Sequence, residues 1–127
     1  MRSPTGEEIR TMAAAAWETI PEALRRHVRN VVIQVVDFPD DETLEEMGCE
    51  SQFDLLGLYR GISLDRKSVF DSGAEPDLVF LYRRPLLDYW CETGEPLDAI
   101  VRHVLIHEIG HHFGLSDEDM EAIEARD

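Results

Sequence analysis

Cysteine is scarce in this sequence, which contains Cys49 and Cys91 in a chain of 127 residues. Two cysteines are too few for a disulfide scaffold, and a chain of this length can bury a hydrophobic core without one. Neither cysteine belongs to a C-x-x-C pair of the kind that binds metals. We therefore interpret both as free thiols and expect a reducing, cytoplasmic compartment.

Positive charge is scarce as well. Lys and Arg number 12 against 27 Asp and Glu, so the formal net charge is −15. Proteins that bind DNA or RNA rely on Lys and Arg to displace counterions from the phosphate backbone, so this balance disfavours a nucleic-acid partner. An acidic surface instead favours a basic peptide or protein as substrate.

Long hydrophobic runs, internal repeats and low-complexity segments are also missing. No apolar stretch approaches the ~20 residues that a membrane-spanning helix needs, and the start, MRSPTGEEIR, has no signal-peptide pattern. We therefore expect no membrane partner and no secretion. Because no Pro-, Gly- or Ser-rich linker divides the chain, residues 1–127 are expected to form one domain.

Hydrophobic spacing predicts both helices and strands. The predicted helices cover residues 7–20, 21–29, 85–93, 96–113 and 116 onward, and the predicted strands cover residues 31–38, 55–64 and 77–82. The first strand is β-branched and almost wholly apolar, which is typical of a strand buried on both faces. Residues 40–54 show no clear period, so a loop or a short helix near 44–47 is expected. Two helices, several strands and then further helices predict an α+β fold.

The last long predicted helix contains a metal-binding motif, His107-Glu108-Ile109-Gly110-His111, of the form H-E-x-x-H. At about 100° per residue, His107 and His111 lie about 40° apart on the helical wheel and one turn apart along the helix. Two imidazoles in that position can hold one ion. Glu108 lies on the same side of the helix, so its carboxylate can reach a water beside the metal and act as the general base.

A third ligand follows the motif. Catalytic zinc usually takes three protein ligands and leaves the fourth position open. Gly114 can end the helix in the left-handed conformation and reverse the chain, and Asp117 comes six residues after His111. The pattern H-E-x-x-H-x-x-G-x-x-D therefore predicts a zinc site formed by His107, His111 and Asp117.

The surroundings of the motif favour this interpretation. Apolar residues cover nearly the whole circumference of the helix and predict that it is buried, and buried polar groups are costly unless a metal or another partner compensates them. The alternative is that His107 and His111 are hydrogen-bonded core histidines, while Asp117 only stabilises the last helix through its dipole. His103, one turn before His107, is expected to border the cleft or to be structural. His112 points away, and we expect it to lie in the core.

The run HEIGHHFGLSDEDM at residues 107–120, with LLGLYRGISL at 55–64 and LVFLYRRPLLD at 78–88, resembles the small bacterial zincin-like metallopeptidases. This resemblance implies a minimal zincin fold, with a small mixed sheet packed on the active-site helix. It also implies zinc as the cofactor, His107, His111 and Asp117 as its ligands, and Glu108 as the catalytic residue. The chain differs from the larger metzincins, since Asp117 replaces their third histidine. The ten residues that follow Asp117 are also too few for a Met-turn.

Together these observations predict a zinc-dependent peptidase in which Glu108 activates water, with a peptide substrate held along a sheet edge, which we place at residues 77–82. One alternative is a metal-dependent endoribonuclease of the YbeY type, which also uses a helix-borne H-x-x-x-H. That family has glycine in place of Glu108 and a third histidine in place of Asp117, and the net charge is unfavourable for RNA. Another alternative is an interaction module that zinc stabilises, with little turnover.

Overall fold

The computed structural model describes residues 3–25, 31–61 and 77–125, and these residues form a small α+β fold, as predicted. The elements in chain order are α1 (Gly6–Thr19), α2 (Glu22–Arg25), β1 (Val31–Val36), α3 (Asp41–Glu46), β2 (Gly57–Arg60), β3 (Asp77–Tyr82), α4 (Arg83–Thr93), α5 (Leu97–His112) and α6 (Asp117–Ala125). The end of the second predicted helix, residues 26–30, and the end of the second predicted strand, residues 62–64, lie outside the described residues. No helix among the described residues is both long and apolar enough to cross a membrane.

The three strands form a mixed sheet with the order β1-β3-β2. β3 pairs with β1 in parallel and with β2 antiparallel, so that Val79 lies between Ile33 and Tyr59. The prediction that residues 77–82 form a sheet edge is therefore wrong, because β3 is the central strand. Its sequence, DLVFLY, is short and apolar, and a pattern of that kind does not distinguish a central strand from an edge strand.

The first strand also differs from its prediction. Gln34 and Val36 of β1 are exposed, so the strand is not buried on both faces. Among the described residues β1 has β3 as its one strand neighbour, and α1 packs against it. Its β-branched composition thus reflects strand propensity rather than double-sided burial.

Helix α5 forms the centre of the core, as its apolar circumference predicts. It packs against α1, α4 and α6 and against β2 of the sheet. Its buried residues are Leu97, Ile100, Val101, Val104, Leu105, Ile106, Ile109 and Gly110. Because so many of its side chains are fixed by packing, α5 is a rigid support for the polar residues on its remaining face.

Candidate active site

Helix α5 carries the two motif histidines on one side, as the i, i+4 spacing requires. The ring centroids of His107 and His111 lie 5.8 Å apart, with the two rings edge to face. The side chain of His107 is 24% exposed and that of His111 is 57% exposed. The pair thus lies at the surface end of a buried helix, where solvent and a ligand can reach it.

The chain reverses directly after α5. Gly114 has a φ of +74°, in the left-handed region, and the Leu115 N–H donates to the Gly110 carbonyl over 2.9 Å, which closes the helix end. Ser116 and Asp119 then form a capping box, since each backbone N–H is bonded to the other side chain at 3.3 Å and 3.0 Å. The glycine that ends α5, which the sequence predicts, and this capping box start α6 at Asp117.

This reversal brings Asp117 back to the motif. Its Oδ1 lies 3.9 Å from Nε2 of His111, although its side chain is 85% exposed. The distance is too long for a hydrogen bond, but a small movement of either exposed side chain would let both atoms share one ion. The two residues that are predicted to share a metal ion are thus neighbours in the structure.

Glu108 lies next to strand β2, where its carboxylate is hydrogen-bonded to the backbone of Tyr59. Burial raises the pKa of its carboxyl group, while His111 and the backbone N–H of Tyr59 act in the opposite direction. A carboxylate in such an environment is a stronger base than one in bulk water. The N–H of Tyr59 fixes its position, so Glu108 combines raised basicity with a defined orientation.

His107 provides the direct test of whether the site suits a metal. Its Nε2 is buried and has no hydrogen-bond partner among the described residues. Burial, followed by the neighbouring His103, lowers the pKa of His107 and so favours its neutral form, although Glu124 acts against this. A neutral imidazole with an unpartnered buried nitrogen is suited to a metal, because buried polar atoms otherwise find hydrogen-bond partners. With His111 and Asp117 it would make a two-nitrogen, one-oxygen donor set, the chemistry that suits a divalent ion such as zinc.

The predicted ligands are neighbours but do not all converge. Among the described residues, the His, Cys, Asp and Glu ligand atoms that all lie within 4.8 Å of one another belong to His103, His107 and Glu124. The set of His107, His111 and Asp117 therefore stays a prediction. Glu124 is absent from the predicted ligands, because its approach to His103 and His107 depends on how α6 folds back along α5.

The prediction that His112 lies in the core is wrong. The residue is exposed, and its ring stacks on that of Tyr59 with centroids 4.0 Å apart. The helical wheel placed it correctly away from His111, but α5 ends at His112, where the apolar neighbours of the preceding turns no longer surround the helix. His112 therefore covers the tyrosine beside Glu108 instead of the helix interior.

Comparisons with known proteins give a family match and a similar solved structure. The family of zincin-like metallopeptidases matches residues 28–126. A conserved hypothetical protein from Thermus thermophilus has a solved structure with a TM-score of 0.54 and 24% sequence identity, and the match covers 97% of this chain and 100% of that one. At that identity the similarity shows the fold alone. A search of curated proteins finds no match.

Proposed function

Because this chain belongs to the zincin-like metallopeptidase family, we propose that it is a zinc-dependent peptidase with Glu108 as its general base. His107, His111 and Asp117 are the proposed metal ligands. The observation that carries the proposal is the pairing of two adjacent residues on α5: a histidine with a buried, unpartnered nitrogen, and a glutamate whose pKa is raised by burial. The first suits a metal and the second suits proton transfer.

The metal, Glu108 and Tyr59 have separate roles in the proposed reaction. When bound, zinc supplies a Lewis acid that polarises the scissile carbonyl and lowers the pKa of the attacking water. Glu108 accepts the proton of that water and later donates it to the amine that leaves. Tyr59 holds Glu108 through its backbone N–H, so the carboxylate keeps one orientation through both transfers.

The substrate path follows from the position of β2. Among the described residues β2 has β3 as its one strand partner, and its Tyr59 faces Glu108. An extended peptide added along this strand, rather than along β3, would pass beside the general base. The shape of the sheet therefore supports a peptide or protein substrate bound in an extended conformation.

Charge supports a basic substrate. The formal net charge is −15, and a surface of this sign raises the local concentration of cationic peptides while repelling anionic ones. The same property disfavours RNA, so the ribonuclease alternative gains no support. The two free cysteines, Cys49 and Cys91, are compatible with action in the cytoplasm, which we include in the proposal.

The proposal is tested by measuring zinc content together with turnover. Purified protein is assayed for bound zinc, for cleavage of a peptide library rich in Lys and Arg, and for cleavage of single-stranded RNA. Cleavage of peptides that a chelator abolishes and zinc restores supports the proposal. Zinc-dependent RNA cleavage, or bound zinc with no hydrolysis of any peptide, would contradict it and favour the ribonuclease or the interaction module.

A further inference from the structure

Helix α5 carries a third histidine at the same spacing as the motif pair. His103, His107 and His111 follow one another at intervals of four residues, so that His103 and His107 form a second i, i+4 pair. Their ring centroids lie 4.0 Å apart. The geometry that lets two imidazoles hold one ion therefore occurs twice on this helix, and His107 belongs to both pairs.

Helix α6 supplies a carboxylate to each pair. Its first residue, Asp117, lies beside His111, and Glu124 in its last turn contacts Nδ1 of His103. Oε1 of Glu124 also lies 3.8 Å from Nε2 of His107, the buried nitrogen that has no hydrogen-bond partner. One carboxylate oxygen thus faces a nitrogen of each imidazole in the second pair.

The end of α6 is held in this position by other contacts. Nη1 of Arg102 donates to the backbone carbonyl of Glu124 over 3.3 Å, and Met120 is fully buried against the backbone of Gly110. The ligand cluster is also accessible, because His103 and Glu124 line a cavity of about 350 Å³ and the side chain of His103 is 54% exposed. A metal ion can therefore reach His103 and Glu124 from this cavity, while binding to the buried Nε2 of His107 requires a local side-chain movement.

We propose that His103, His107 and Glu124 form a second divalent-cation site, which competes with the motif site for His107. The donor set has two imidazole nitrogens and one carboxylate oxygen, the same chemistry as in the motif set, and suits zinc. A neutral imidazole has one free lone pair, so His107 ligates one ion at a time. A chain that holds zinc at the second site therefore lacks the complete motif set, and the chain binds one ion in total.

This inference rests on the ligand set of the proposed function, so its test measures zinc binding rather than cleavage. Zinc affinity is measured by competition with a chromophoric chelator for the wild type, for the double variant His111→Ala/Asp117→Asn, and for that variant with Glu124→Gln added. Glu121→Gln in the same background is the control, because Glu121 is an exposed residue of the same helix with the same charge. Circular dichroism of each variant confirms the helical content.

The double variant is expected to bind one zinc ion per chain. Adding Glu124→Gln should weaken zinc binding by roughly 10- to 100-fold or more, since mutation of a residue that only supports a metal ligand already lowers the affinity by this factor. Adding Glu121→Gln should leave the affinity nearly unchanged. A double variant that binds no zinc would overturn the second site and leave the motif site intact. If Glu124→Gln alone abolished zinc binding, the motif residues would not bind zinc by themselves. That result would overturn both the competition and the proposed motif ligands.

A milder series keeps the test available if the double variant does not fold. Asp117→Asn alone leaves His111 in place and changes a side chain that is 85% exposed. We expect zinc to remain bound to Asp117→Asn and to be lost from Asp117→Asn/Glu124→Gln. Equal zinc affinity in these two proteins would contradict the second site.

Discussion

Asp117 Oδ1 lies 3.9 Å from Nε2 of His111, so the helix that follows the H-E-x-x-H motif returns a carboxylate to its second imidazole. In the Glu124→Gln background, which removes the second site, we expect Asp117→Asn to lower zinc affinity by about tenfold or more, because it removes an anionic ligand. Glu118→Gln is the matched control, since Glu118 is the next exposed acid of the same helix. Competition with a chelator measures both affinities, and equal values would remove Asp117 from the ligand set.

Gly114 is expected to position Asp117 through its backbone. Gly114 and Gly94 each directly follow the end of a helix and have a left-handed φ, of +74° and +72°. A Cβ on either glycine would meet no atom within 4 Å. Gly114→Ala and Gly94→Ala should therefore each cost about 1–2 kcal/mol of unfolding free energy, from backbone strain alone. Urea unfolding measures that cost. Zinc affinity should fall for Gly114→Ala and not for Gly94→Ala, and a matching fall in both would indicate a general loss of stability.

The fold and the motif were predictable because their signals are local. The apolar circumference of α5, the glycine at position 114 and the Ser116–Asp119 capping box are all properties of a few neighbouring residues, and each appears in the structure. The start of α3 at Asp41 was missed, although Asp40 caps that helix by accepting from the Thr43 N–H over 2.8 Å. The apolar period of this short segment is too weak to indicate where the helix begins.

Features that depend on distant parts of the chain were not predictable in the same way. β3 is the central strand because β1 and β2 pair with it from both sides, and no pattern within residues 77–82 records those partners. Glu124 approaches His103 and His107 because α6 folds back along α5, which requires the packing of Met120 against Gly110. Glu124 therefore could not be predicted from the spacing of the H-E-x-x-H motif, because its place beside the two histidines depends on tertiary structure.

Ionic strength should change the rate of peptide cleavage in a direction set by the peptide's charge. The chain has a formal net charge of −15, which attracts basic substrates at long range. Raising the salt from about 0.01 M to about 1 M shortens the Debye length from ~30 Å to ~3 Å. We expect kcat/KM to fall for a Lys-rich peptide and to rise for an acidic peptide of the same length. Identical salt profiles for the two peptides would contradict electrostatic selection.

Tyr59 should make stability depend on pH in the alkaline range. Its hydroxyl donates to Asp77 Oδ2 over 2.6 Å, and burial, followed by this carboxylate, raises its pKa above the ordinary value near 10. Folding therefore favours the neutral phenol, and this contribution is complete below about pH 10 and is lost as the pH rises further. Tyr59→Phe should cost about 1 kcal/mol at neutral pH, from the lost hydrogen bond. Urea unfolding at several pH values should show a weaker alkaline loss of stability in the variant than in the wild type.

In the proposed mechanism Glu108 moves the proton while other residues hold the metal, and Glu108→Gln separates these two roles. The amide keeps the size of the side chain but cannot accept a proton from water. The direct measurement is the peptide cleavage rate of wild type and Glu108→Gln, with the zinc content of both proteins determined on the same samples. We predict equal zinc content and a cleavage rate lower by roughly 10²- to 10⁴-fold in the variant. A Glu108→Gln protein that cleaves at the wild-type rate with equal zinc would contradict the account.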